Sequence, residues 1–194
     1  MDIYLIRHGK TEGNKRKAYI GITDEPVSPE GLEELRAMPA YHSCNIVYIT
    51  PLLRTKMTAD VFFPNATKLV VEDFREMNFG IFEGKNYADL AENQEYRQWV
   101  EGNCVGCCPL GESIVDFAQK VSDRFKQLVD EALAEGKESL TCVVHGGVIM
   151  SLCYQHCSEK REFYDWWIDN GQCRHFALNQ IIWRETHTLE LVEE

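Results

Sequence analysis

Three short apolar runs, at residues 3–6, 45–49 and 140–144, each stop abruptly at polar or turn-forming residues. The first ends at Arg7-His8-Gly9, the second at Thr50-Pro51 and the third at His145-Gly146-Gly147. Runs of this length bounded by such punctuation read as strands. Helical patterns follow two of them, through residues 57–61 and 148–157. Between these, Ile114, Phe117, Val121, Phe125, Leu128 and Ala132 recur every three or four residues. That spacing predicts one buried stripe on a long helix over 113–133, started by the capping pattern Ser113-x-x-Asp116. Residues 69–71, 174–178 and 189–192 are further short strands. Strands alternating with helices predict a single α/β domain over residues 1–194, a three-layer α/β/α sandwich around a mainly parallel sheet.

In an open α/β sheet, ligands bind beyond the carboxyl ends of the strands. Here those ends carry Arg7, His8, Arg54 and His145, with glycines that let a ligand approach the backbone closely. Two strand ends also lead into helices, whose first-turn amides favour an anion. Charge points the same way. The chain has 20 Lys and Arg against 31 Asp and Glu, a net charge of -11, yet residues 1–17 hold five basic and two acidic residues. A locally positive site in an acidic chain suits a small phosphorylated metabolite. It argues against nucleic acid or an anionic membrane, both of which call for a broad basic surface.

No apolar run reaches the ~18 residues of a membrane span. The N-terminus reads as a strand rather than a signal peptide, so the expected location is the cytoplasm. The eight cysteines are expected as reduced thiols. Cys104-x-x-Cys107-Cys108 could supply two or three zinc ligands, but no second half of a zinc site is evident, and no metal is expected. Isolated His42, His156, His175 and His187 are read as structural.

Five blocks in order carry a family resemblance: Arg7-His8-Gly9-Lys10-Thr11-Glu12-Gly13-Asn14; Gly21-Ile22-Thr23-Asp24 with Val27-Ser28-Pro29-Glu30-Gly31; Thr50-Pro51-Leu52-Leu53-Arg54-Thr55; Phe74-Arg75-Glu76 through Gly84; and Gly111-Glu112-Ser113 with Val144-His145-Gly146-Gly147. Together they resemble the histidine phosphatase superfamily, which also includes the cofactor-dependent phosphoglycerate mutases. Length and the Glu76-x-x-Phe79-Gly80-x-x-Glu83-Gly84 form look closer to the small phosphatases, the α-ribazole-5'-phosphate phosphatase type among them. Phe82 stands where that family usually has tryptophan, and Thr50 where serine is common.

The resemblance implies phosphate monoester hydrolysis through a phosphohistidine on His8. It makes Arg7, Arg54 and His145 the phosphoryl clamp and Glu76 the general acid, with Glu12 and Glu83 as competing carboxylates. Asn14, Gly21, Gly146 and Gly147 become substrate-binding, and residues 75–112 become a variable lid in which Tyr96 and Trp99 are candidate pocket residues. No cofactor is implied, and a homodimer is allowed for. The competing readings are a mutase, which retains and returns the phosphoryl group, and a non-catalytic phosphate-ligand or zinc-binding module.

Overall fold

The N-terminal apolar run lies inside the sheet. In the computed structural model, which describes residues 1–192, β1 (Asp2–Arg7), β2 (Ile46–Ile49), β3 (Thr67–Val70), β4 (Ser139–Val144), β5 (Cys173–Ala177) and β6 (Glu190–Leu191) form one sheet in the order β3-β2-β4-β1-β5-β6. The first four in that order run parallel; β5 pairs antiparallel with β1, and β6 antiparallel with β5. Ile3, Leu5 and Ile6 are fully buried, as expected of a strand covered on both faces.

Alternation along the strands divides the core. Ile3, Leu5, Leu140, Cys142 and Val144 join one large cluster with Phe117, Val121, Phe125 and Leu128 of α5 (Ile114–Ala134) and Val148 and Leu152 of α6 (Gly146–His156). Ile6, Val47, Ile49 and Val143 face the other way, onto Ala59 of α3 (Leu53–Phe62) and the adjacent Phe63. These are the three layers. The long helix starts where its capping pattern predicted, with the Ser113 hydroxyl accepting from the Asp116 amide. The remaining helices are α1 (Glu12–Lys15), α2 (Pro29–Ala37), α4 (Gln94–Glu101) and α7 (Gln180–Thr186). Expected strand 69–71 starts two residues earlier and ends one earlier, and 189–192 contracts to two residues, with Leu189 making an isolated bridge to Cys157.

Register brings the strand ends together. Arg7 pairs with Val144 and Ile49 with Val143, so Thr50, His8 and His145 leave the sheet at neighbouring points on one edge. The His8 amide donates to the Val144 carbonyl at 3.0 Å, which fixes the crossing. Residues 75–112 fold over that edge through a 3-10 turn at Gly80–Phe82 and α4, with Phe82, Leu90, Tyr96 and Trp99 buried in the main core. Among the described residues, no helix is long and apolar enough to cross a membrane.

Candidate active site

The His8 ring is fixed by its own loop. Nδ1 lies 2.7 Å from the Gly9 carbonyl, an acceptor only, so Nδ1 carries the proton and Nε2 keeps its lone pair. Gly9 is held in turn: its amide donates to Thr58 Oγ1 at 2.8 Å, and that hydroxyl donates to the Arg54 carbonyl at 2.7 Å. Helix α3 therefore sets the imidazole of β1's loop. Burial pushes His8 well below the usual histidine range, and the charges of Arg54 and Arg7 push it further. The ring is neutral.

Arg7 stacks on Trp167 with its guanidinium 3.9 Å from the ring centroid, and donates from Nη1 to the Ile168 carbonyl at 2.7 Å. Its Nε is buried without a hydrogen-bond partner among the described residues. Burial lowers Arg7 to about 10, opposed by the negative charge of Glu76, so it stays charged at neutral pH. A buried cation with an unspent donor is an anion site in waiting.

Arg54 and His145 are fully buried and do not themselves line the cavity in the unliganded chain. Arg54 donates from Nη1 to the Thr23 carbonyl, from Nη2 to Gly21 and Ile20, and from Nε to His145 Nδ1 at 3.3 Å. His145 Nε2 is 3.0 Å from Thr50 Oγ1. Burial, then Arg54, His8 and Arg7, hold His145 well below its ordinary range. The His8 and His145 rings meet edge to face at 5.2 Å.

Glu76 reaches the same place from the segment after β3. Its Oε2 accepts from the Gly147 amide at 2.9 Å and its Oε1 from the Met77 amide at 3.1 Å. Burial raises its pKa, while those two amides and then Arg54 and Arg7 oppose the rise. Of the three carboxylates weighed from sequence, it alone lines the cavity. Glu83 is spent on the amides of Gly21, Ile22 and Phe79 and on the Thr23 hydroxyl, and exposed Glu12 pairs with Lys15.

These groups close one end of a cavity of about 590 Å³, lined there by Arg7, His8, Asn14, Glu76, Gly146 and Gly147. Away from these groups the lining is aromatic, with Tyr19, Phe79, Trp99, Phe163 and Tyr164, while Trp167 lies beside Arg7. Asn14 uses Oδ1 to accept from the Thr11 amide and from Asn170, which leaves its Nδ2 donor for a ligand. Gly21 lies outside this lining. Its amide serves Glu83 and its carbonyl serves Arg54, and a Cβ there would lie 1.8 Å from the Met77 carbonyl oxygen, so the residue is needed for close backbone packing.

The local positive charge is smaller than the sequence suggested. Lys10 pairs with Glu34 and Lys15 with Glu12 and Glu30; of the five N-terminal cations, Arg7 and Lys17 line the cavity. Trp99 lines it too, whereas Tyr96 packs on Phe82 and shares a hydrogen bond with the Tyr19 hydroxyl. Cys104 faces the cavity, Cys107 is exposed and Cys108 is buried. Among the described residues, no three His, Cys, Asp or Glu side chains are grouped to hold a metal. His42 and His175 stack on Tyr4, His156 bonds Ser122, and His187 ends α7, all away from the cavity.

Sequence reasoning missed the wall from Phe163 to Asn170. Trp167 and Ile168 hold Arg7, and Asn170 Nδ2 donates to the His8 carbonyl at 2.9 Å and to Asn14 Oδ1 at 3.2 Å. The available signals were the adjacent Trp166-Trp167 pair and the Asn170-Gly171 dipeptide, a turn former.

Residues 3–187 match the model of the histidine phosphatase superfamily (branch 1). The chain is 30% identical over 155 residues to a protein of Escherichia coli O1:K1 / APEC named "Probable phosphoglycerate mutase GpmB", covering 75% of this chain and 70% of that one. Among solved structures it is similar to the α-ribazole phosphatase from Shigella flexneri, with a TM-score of 0.79 and 25% identity over 93% of this chain and 92% of that one. It shares its fold with the phosphoserine phosphatase of Entamoeba histolytica solved with 3-phosphoglyceric acid, with a TM-score of 0.78 and 23% identity over 99% of this chain and 95% of that one.

Proposed function

This chain belongs to branch 1 of the histidine phosphatase superfamily, and on that premise we propose that it hydrolyses a phosphate monoester through a phosphohistidine at His8. The observation that carries the reading is the His8 tautomer: Nδ1–H is spent on Gly9, so the unprotonated Nε2 is the nucleophile, beside the unspent Nε of Arg7. Arg7, Asn14 Nδ2 and the Gly146 amide at the start of α6 receive the phosphoryl oxygens, the Gly147 amide being committed to Glu76, with the positive charge of Arg54 and a donor from His145 beside them. Burial raises the Glu76 pKa, which suits it to give a proton to the leaving alkoxide and then take one from the water that cleaves the phosphohistidine. These cations neutralise the phosphoryl charge without a metal ion.

The aromatic end of the cavity supports hydrolysis of a bulky ester over mutase-type transfer. A phosphoglycerate carboxylate would pair with Lys17, the second Lys or Arg of the lining among the described residues, but most of the remaining cavity surface is apolar. A planar, largely uncharged alcohol would instead cover the faces of Trp99 and Tyr164. α-Ribazole 5'-phosphate, a late intermediate of cobalamin synthesis, has that character, and the likeness to the Shigella flexneri enzyme supports it. The test is phosphate release from a panel holding α-ribazole 5'-phosphate, phosphoserine, 3-phosphoglycerate and sugar phosphates. Preference for the aromatic ester is expected. Isomerisation of phosphoglycerate faster than any hydrolysis would replace this reading with the mutase.

A further inference from the structure

The partners of His145 dictate where its proton sits. Arg54 Nε can only donate, so His145 Nδ1 accepts and the proton is on Nε2, which donates to Thr50 Oγ1 at 3.0 Å. Thr50 is braced in turn. Thr55 Oγ1 lies 3.0 Å from it and spends its own proton on the Leu52 carbonyl at 2.8 Å or the Thr50 carbonyl at 3.1 Å. The Thr50 hydroxyl therefore donates to Thr55 and keeps a lone pair for the imidazole. Thr50, Thr55, Arg54 and His145 are all fully buried, so reversing this chain strips a carbonyl of its donor.

The nitrogen of His145 that shares a side with Arg54 is thus the one without a proton. A phosphoryl oxygen that draws Arg54 Nε away would meet a bare Nδ1 lone pair, which repels it. We propose that Thr50, braced by Thr55, is a positioning residue that pins the proton of His145 to Nε2, so that His145 meets the phosphoryl group as an imidazolium and phosphate binding takes up one proton at Nδ1. This rests on the phosphate-site reading above. The proton comes from bulk water, and no other bond is made or broken. The groups facing the ring are Arg54 from α3, Arg7 and His8 from the end of β1, and Thr50 from the end of β2; Glu76 acts on both arginines. In the free protein burial and three neighbouring basic groups keep the ring neutral; a bound dianion adds negative charge beside it that favours the imidazolium against them.

The experiment uses ¹⁵N-histidine-labelled protein and inorganic phosphate, at a pH where the dianion predominates, with two-bond ¹H–¹⁵N correlations reading each ring nitrogen. His145→Gln assigns the His145 signals, and a Glu76→Gln background removes that carboxyl's titration. In the free protein His145 should be neutral with its proton on Nε2; saturated with phosphate, both nitrogens should be protonated. Thr50→Val, close in shape but unable to accept from Nε2, should shift the phosphate-bound ring to the neutral Nδ1–H form, and Thr50→Ser should restore the imidazolium. Phosphate affinity of wild type should fall by about tenfold per pH unit above neutrality from this one proton, and that component should vanish in Thr50→Val. A neutral His145 in phosphate-saturated wild type overturns the proposal whether or not Thr50→Val folds, and so does an imidazolium that persists in Thr50→Val. Failure of phosphate to bind at all would remove the phosphate-site reading, and the proposal with it.

Discussion

The Gly147 amide donates to Glu76 Oε2 at 2.9 Å, and a Cβ at position 147 would lie 2.3 Å from Glu76 Oε1. The first turn of the helix that starts beyond His145 thus holds the proposed acid in place and leaves no room for a side chain. Gly147→Ala should push Glu76 off its amide while leaving the fold intact, since alanine suits a helix at least as well as glycine. The expected result is a melting free energy changed by under about 1 kcal/mol, with turnover of an alkyl phosphate down roughly 10- to 100-fold from a misplaced acid. Equal loss of stability and activity would mean the contact is structural alone.

His8 and Glu76 should separate kinetically. His8→Ala removes the nucleophile, so turnover should fall to near background and rapid quench with labelled substrate should trap no phosphoenzyme. Wild type should yield an acid-labile, base-stable one. Glu76→Gln should cost roughly 10²–10⁴ on an alkyl ester, whose alkoxide needs a proton, and much less on an activated aryl ester. A trapped label in His8→Ala would remove His8 from its assigned role.

Much of this arrangement was legible in the sequence because it rests on local patterns. The abrupt strand ends at Arg7-His8-Gly9 and His145-Gly146-Gly147, and the stripe from Ile114 to Ala132, need only periodicity and punctuation to be seen. What was not legible depends on long-range closure. Gly21 lies in a family block, yet its amide and carbonyl are consumed by Glu83 and Arg54, partners 62 and 33 residues away. Asn170 reaches His8 across 162 residues, and the Asn170-Gly171 turn that marks the position says nothing of that partner. Lys10 and Lys15 counted as local positive charge until α2 supplied Glu34 and Glu30 to neutralise them.

Because Arg7, Arg54 and His145 carry the phosphoryl charge in the proposed mechanism, hydrolysis of a generic aryl phosphate should continue undiminished in excess metal chelator. Loss of activity that zinc or magnesium restores would show that the clamp is incomplete without a metal.

The buried histidines should also be visible in stability against pH. His8 and His145 are both held well below 6.5 in the folded chain, first by burial and then by neighbouring arginines. Unfolded, each returns to about 6.5, so below that pH the unfolded chain binds protons the folded chain refuses. Stability should therefore be full above about pH 7 and fall as pH drops through 6.5, with a slope approaching two protons from this pair. Glu76 acts with the opposite sign: its raised folded pKa favours folding at low pH and weakens it as pH rises through the raised value, which partly offsets the histidines on the acid side. Urea unfolding of the unliganded protein from pH 5 to 8 should show the acid loss. His145→Gln should reduce its slope by about one proton, and Glu76→Gln should steepen it. A slope unchanged by His145→Gln would show that this ring is protonated in the free folded chain, contrary to its burial between Arg54 and Thr50.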